Sequence, residues 1–93
     1  MPHYRVRYSE KVLKELRSLR REAEAVGQGE AIDRSFRIIL EGISADPMSF
    51  GEAQFTYRKL KLTHCVVLLL PLAMEYAVDE SRHIVYLCRA KLL

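Results

Sequence analysis

Hydrophobic positions along the 93 residues change period several times, and each change marks an element. In "HYRVRYS" Tyr4, Val6 and Tyr8 alternate with Arg5 and Arg7, the period of a half-buried strand. Ser9 follows as a helix cap, with Glu10 at the positive end of the helix dipole. The stretch "EKVLKELRSLRREAEAV" then repeats Val12, Leu16, Leu19, Ala23 and Val26 at helical spacing, predicting one core stripe on an otherwise wet helix. "GQG" at 27 to 29 ends it, because glycine accepts the backbone a helix terminus often needs. "EAIDRSFRIILEGISAD" places Ile32, Phe36, Ile39, Leu40 and Ile43 on one side and predicts a second, antiparallel helix that stops before Asp46-Pro47. Gly42 inside it either costs about 1 kcal/mol of helix stability or marks a close contact.

"PMSFGEAQF" reads as a loop with two aromatics, and strand character resumes from Thr56. The most apolar stretch, "HCVVLLLPLAMEYAVDE", is interrupted by Pro71. Its apolar, uncharged run, Cys65 to Met74, is about half of the roughly 20 residues a helix needs to cross a bilayer, so a membrane span is excluded. Pro71 would break a buried helix, whereas in the turn of a hairpin its missing N–H costs little. Two strands are expected, about 60 to 69 and 72 to 79. "DESR" is a polar turn, and "HIVYLCRAKLL" alternates Ile84, Tyr86, Cys88 and Ala90 against Val85, Leu87, Arg89 and Lys91, so that a basic end emerges from the core. The predicted fold is α+β in the order β-α-α-β-β-β: one domain over 1–93, an antiparallel sheet with a two-helix hairpin on one face. Two helices cover only one face, so the other is wet or covered by a partner.

Composition adds location and partners. Residues 1 to 26 carry seven Lys/Arg against four Glu, 27 to 55 two against five acids, and 56 to 93 six against three, within a net charge of +3. Two basic segments around an acidic middle suit a polyanion or an acidic protein, and equally an ordinary solvated surface. A sequence-specific DNA binder fits poorly, because Glu10, Glu15, Glu22 and Glu24 interrupt the cations of the first helix. "MPHYRVRYSE" has no apolar leader core, which points to the cytoplasm. Cys65 and Cys88 lie in apolar runs without CxxC spacing and are expected to be buried, reduced thiols. His3, His64 and His83 lack metal-ligand spacing, so neither metal nor cofactor is expected.

The residues "YRVRYSEKVLKELRSL", the helix exit "ADP", the basic "YRKLKL" and the strands "MEYAVDE" and "HIVYLCRAK" resemble the RelE/ParE superfamily of bacterial type II toxin–antitoxin toxins, over nearly the whole chain. The nearest likeness is the tyrosine strand Glu75-Tyr76-Ala77-Val78-Asp79-Glu80, and "FGE" at 50 to 52 with "PL" at 71 to 72 look like a divergent subgroup. The resemblance implies a cytoplasmic toxin that either cleaves mRNA in the ribosome without a metal, as an endoribonuclease, or inhibits gyrase. A cognate antitoxin would neutralise it, and a homodimer is compatible with the same sheet. It further implies site residues Lys59, Lys61, Arg89 and Lys91. The family's arginine ahead of the tyrosine strand falls at Ala73, which argues against efficient cleavage, and Lys91 stands where other members place a tyrosine or histidine for proton transfer. From another functional class, the same fold would serve as a catalytically silent interaction module that presents Tyr4, Tyr8, Phe55 and Tyr57 to a partner protein.

Overall fold

The computed structural model describes residues 3–93. Strand β1 (Arg5–Tyr8) leads through Ser9 into helix α1 (Glu10–Ala25), whose first turn is capped as expected: the Val12 amide donates to Ser9 Oγ at 3.3 Å. The chain turns at Gly27, where the Gln28 amide donates back to the Ala23 carbonyl at 2.7 Å, and enters α2 (Gly29–Ala45). Arg20 ties the two helices together on the surface, donating from Nε and NH2 to Asp33 at 2.9 to 3.3 Å and from NH1 to Glu24 at 2.7 Å.

After α2 come α3 (Pro47–Phe50), β2 (Glu52–Tyr57), β3 (Leu62–Leu69), β4 (Leu72–Asp79) and β5 (Ile84–Leu92). The architecture is the expected α+β one, with the helices packed on a sheet of order β1-β5-β4-β3-β2. It departs from expectation in three ways. The segment read as a loop over 47 to 55 contains the one-turn α3, which Asp46 caps by accepting from the Ser49 amide at 3.3 Å, and most of the additional strand β2. The next strand starts at Leu62 rather than 60, because Arg58–Lys61 forms the turn that joins it to β2. Finally, β2 to β5 form an antiparallel meander, but β1 pairs parallel to β5, with Arg5 opposite Ile84 and Arg7 opposite Tyr86. The hairpin at Leu70-Pro71 is as predicted: Leu69 faces Leu72 across a two-residue turn.

Between the helices and the sheet lie Val12, Ile32, Ile39, Ile43, Cys65, Leu72, Met74, Tyr76, Val78 and Val85, nearly all sealed from solvent. Tyr76 donates its hydroxyl to the Pro47 carbonyl at 2.6 Å and so ties β4 to α3. Gly42 is a close-contact glycine, since a Cβ there would run into the Phe50 ring. Two expected core residues are not in the core. Val26 caps the end of α1 and is exposed, because the helix stops one residue earlier than its apolar stripe. Cys88 is exposed because the β4–β5 register slips there: Tyr76 faces Leu87 but Glu75 faces Arg89, leaving Cys88 as the extra residue of a bulge.

Candidate functional site

Helices cover one face of the sheet, and the site lies on the other. Directly opposite residues share a face, so the register fixes what that open face carries. One row across the sheet runs Phe55 (β2), His64 (β3), Ala77 (β4), Tyr86 (β5) and Arg7 (β1); the next runs Glu52, Val66, Glu75 and Arg89; a third runs Leu68, Ala73 and Lys91. The helix face carries the complementary set: Cys65, Tyr76, Leu87 and Tyr8 in one row, and Val67, Met74 and Ala90 in another.

The bulge at Cys88 decides where two of the predicted site residues point. Sequence alternation puts Arg89 and Lys91 on the face of Val85 and Leu87. The extra residue reverses the phase, so Ala90 and Leu92 continue the helix face and Arg89 and Lys91 emerge, exposed, on the open one. Among the described residues neither forms an ion pair. Lys91, Glu75, Val66, Leu68, Ala73 and Leu93 line a hollow of about 310 Å³, at the lower end of the size of small-ligand sites. Ala73, where the family resemblance leads one to expect an arginine, is part of this hollow directly across from Lys91.

Lys59 and Lys61 lie elsewhere. Both belong to the β2–β3 turn, where Lys61 adopts a φ of +55° and shares a shallow depression with Arg58, Thr56, Thr63, Glu80 and Ser81. Arg89 is level with Val66 of β3, five residues along the strand from Lys61, roughly 17 Å at about 3.3 Å per residue. The four predicted residues therefore form two cationic groups, one at the hollow and one at the sheet end. The hollow between α1 and α2, about 170 Å³, is lined by Leu16, Ile32, Phe36 and Leu72, with Arg17 and the paired Arg20 and Asp33 also bordering it.

In the middle of the open face is a pair that the sequence reading passed over. His64 Nε2 donates to Glu75 Oε1 at 3.1 Å, their side chains only 14% and 28% exposed. The Phe55 ring stacks on the imidazole, with centroids 4.9 Å apart and planes 8° from parallel, and Tyr57 meets Phe55 edge-on. The predicted hairpin held the signal for this pair. A two-residue turn at Leu70-Pro71 sets Val66 opposite Glu75 and His64 opposite Ala77, which makes His64 and Glu75 diagonal neighbours on one face. Arg7 and Arg5 join this face through the parallel β1–β5 pairing, which no local pattern encodes. The aromatics do not all gather there: Phe55 and Tyr57 lie on the open face, Tyr8 opposite Leu87 on the helix face, and Tyr4 packs against the core with its ring edge-on to His83.

Asp79, at the end of β4, serves the fold. Its carboxylate accepts from Ser81 Oγ at 2.8 Å and from the Arg82 amide at 3.1 Å, and chiefly the Ser81 hydrogen bond holds its pKa below the usual carboxylate range. Burial pushes the Cys65 thiol upward, which keeps it protonated and unreactive on the helix face. Among the described residues no group of His, Cys, Asp and Glu has the arrangement of a metal site, and no helix is long and apolar enough to cross a membrane.

No protein-family model matches the sequence, and no curated protein does. Among solved structures, a chain in the crystal structure of the toxin–antitoxin complex RelBE2 from Mycobacterium tuberculosis matches over 98% of this chain and 99% of its own length, with a TM-score of 0.61 and 20% identity. At that identity the likeness is one of fold, and this chain has the fold of that chain.

Proposed function

We propose that this protein is the toxin-like component of a type II toxin–antitoxin system, and that its open sheet face binds mRNA on the ribosome and cleaves it as a metal-independent endoribonuclease. The observation that carries this reading is the unpaired pair Arg89 and Lys91, brought by a bulge onto an open face that also displays Arg5, Arg7, Phe55 and Tyr57. Cations neutralise phosphates and stabilise the charge that builds on a phosphate under attack, while aromatic rings on a sheet provide surfaces on which unpaired bases stack. Arg89 and Lys91 flank the reacting phosphate. Lys59 and Lys61, roughly 17 Å or more away, hold phosphates further along the strand.

The partner in this reading is a cognate antitoxin, and the protein works in the cytoplasm. Leu68, Leu70 and Leu93 are 65%, 76% and 59% exposed around the tip of the β3–β4 hairpin, next to Lys91. That combination suits a segment that offers apolar and acidic side chains together. The same exposed leucines favour the second reading, a gyrase inhibitor or a catalytically silent interaction module on this fold, in which protein contact is the whole function.

The deciding experiment induces the protein alone in bacteria and follows amino-acid incorporation within minutes. Wild type is expected to stop translation, Arg89→Ala with Lys91→Ala to abolish the effect, and Lys59→Ala with Lys61→Ala to weaken it and flatten the salt dependence of RNA binding. Unaffected translation on wild-type induction would remove the cleavage reading and leave the gyrase inhibitor or the interaction module.

A further inference from the structure

His64 and Glu75 join β3 to β4 on the face away from the core, and they cap no helix and close no turn. The geometry is that of an oriented base. Glu75 accepts from Nε2, which fixes the proton on that nitrogen and leaves the lone pair on Nδ1. Phe55 stacks flat on the ring and holds its plane. Among the described residues none hydrogen-bonds to Nδ1, and the His64 side chain keeps 14% of its surface exposed. Glu75 in turn faces Arg89 across the β4–β5 pairing and shares the 310 Å³ hollow with Lys91.

We infer that His64 is the proton acceptor, with Glu75 as its positioning residue, for cleavage of an RNA phosphodiester bound between them and the Arg89–Lys91 cations; this rests on the reading proposed above. The ribose 2′-hydroxyl gives its proton to His64 Nδ1 as its oxygen bonds to phosphorus. The bond from phosphorus to the 5′-oxygen of the next nucleotide breaks, and that oxygen takes a proton from water. A 2′,3′-cyclic phosphate and a 5′-hydroxyl result, and the hydroxide left behind takes the proton from His64. Arg89, level with Val66 two residues along β3 from His64, offsets the charge on the phosphoryl oxygens, and Lys91, level with Leu68, adds to the cationic field from the hollow.

The test uses the full chain on ribosomes programmed with a model mRNA, with cleavage ends mapped for the cyclic phosphate, and measures binding of a single-stranded RNA oligonucleotide and thermal melting in parallel. His64→Gln retains an amide N–H for Glu75 but has no accepting ring nitrogen. It is expected to lose about 10²- to 10⁴-fold in cleavage rate while binding and melting stay near wild type. Glu75→Gln keeps a hydrogen-bonding group beside the ring but removes the negative charge. The groups facing the imidazole are Phe55 from β2 and Glu75 and Ala77 from β4, with Tyr86 and Arg89 of β5 one strand further, so this variant is expected to move the pH–rate profile toward lower pH. If wild type cleaves and His64→Gln cleaves within threefold of it, the assignment fails and the endoribonuclease reading stands. If His64→Gln loses RNA binding or melts early in step with its activity, the pair is structural and the assignment fails. If wild type itself does not cleave, the parent reading fails and this inference with it.

Discussion

Tyr76 is the position where sequence, packing and site support converge, and Tyr76→Phe isolates one atom of it. The side chain is fully buried, and its hydroxyl donates to the Pro47 carbonyl at 2.6 Å. Gly51 leaves the space for it, since a Cβ there would collide with the hydroxyl. Phenylalanine removes the donor and leaves the buried carbonyl unpaired, which costs about 1–3 kcal/mol. For a chain of this length each kcal/mol lowers Tm by about 4–8 °C. A second readout concerns the same atom. Burial first, and the neighbouring Cys65 second, push the Tyr76 phenol far above the usual tyrosine range. A folded-state value raised above the unfolded one gives stability that is fully present below about pH 10 and lost as pH rises through the folded value. The difference between wild type and Tyr76→Phe is thus constant from neutral pH to about 10 and shrinks above it. Urea denaturation followed by circular dichroism across that range measures both. A Tyr76→Phe protein within about 0.5 kcal/mol of wild type at pH 7, or a difference that stays flat above pH 10, would refute the reasoning.

Gly42→Ala pushes a methyl into the Phe50 ring and is expected to cost about 1–3 kcal/mol in urea denaturation, with Phe50→Ala restoring part of it in the double variant. Asp79→Asn tests the turn after β4. Because the carboxyl is held below its ordinary range, its contribution is present above about pH 4 and lost as pH falls through the lowered value, so the variant should be weaker than wild type at pH 7 and approach it on acidification. Cys88, exposed at the bulge, should react with a thiol reagent in the folded protein, more slowly than in the unfolded chain because partial burial raises its thiol pKa, while Cys65 should react only on unfolding; equal protection of both would contradict the β4–β5 register.

Elements whose pattern is local were legible. The strand in "HYRVRYS", the Ser9 cap and the Leu70-Pro71 hairpin each need only a few neighbouring residues, and all three are present, although Tyr8 at the strand's end is exposed. Strand β2 was not legible, because all six of its residues are exposed and burial imposes no alternation on them. Helix α3 is a single turn, too short for a 3.6-residue period to show. The arrangement of the candidate site was not legible where it depends on register: a strand that starts at Leu62 leaves Lys59 and Lys61 in the turn before it, away from Arg89 and Lys91, and the His64–Glu75 pair appears only when the hairpin register is carried across to the neighbouring strand.

The bulge at Cys88 ties the core to the site. Continued without it, the alternation of Val85 and Leu87 would aim Arg89 and Lys91 beneath the helices, and uncompensated buried charges cost several kcal/mol each. With it, Ala90 and Leu92 take the core positions opposite Met74 and Leu72, and the two cations face outward beside Glu75 and the hollow. The far half of β5 extends past the end of β1, whose pairing stops at Leu87, and there Glu15 of α1 reaches over to accept the Ala90 amide at 2.6 Å. A carboxylate that interrupts the basic first helix thereby caps a strand edge that would otherwise offer an unpaired donor. One extra residue both keeps two charges out of the core and places them where a phosphate can be met, so the same local irregularity serves stability and the proposed chemistry.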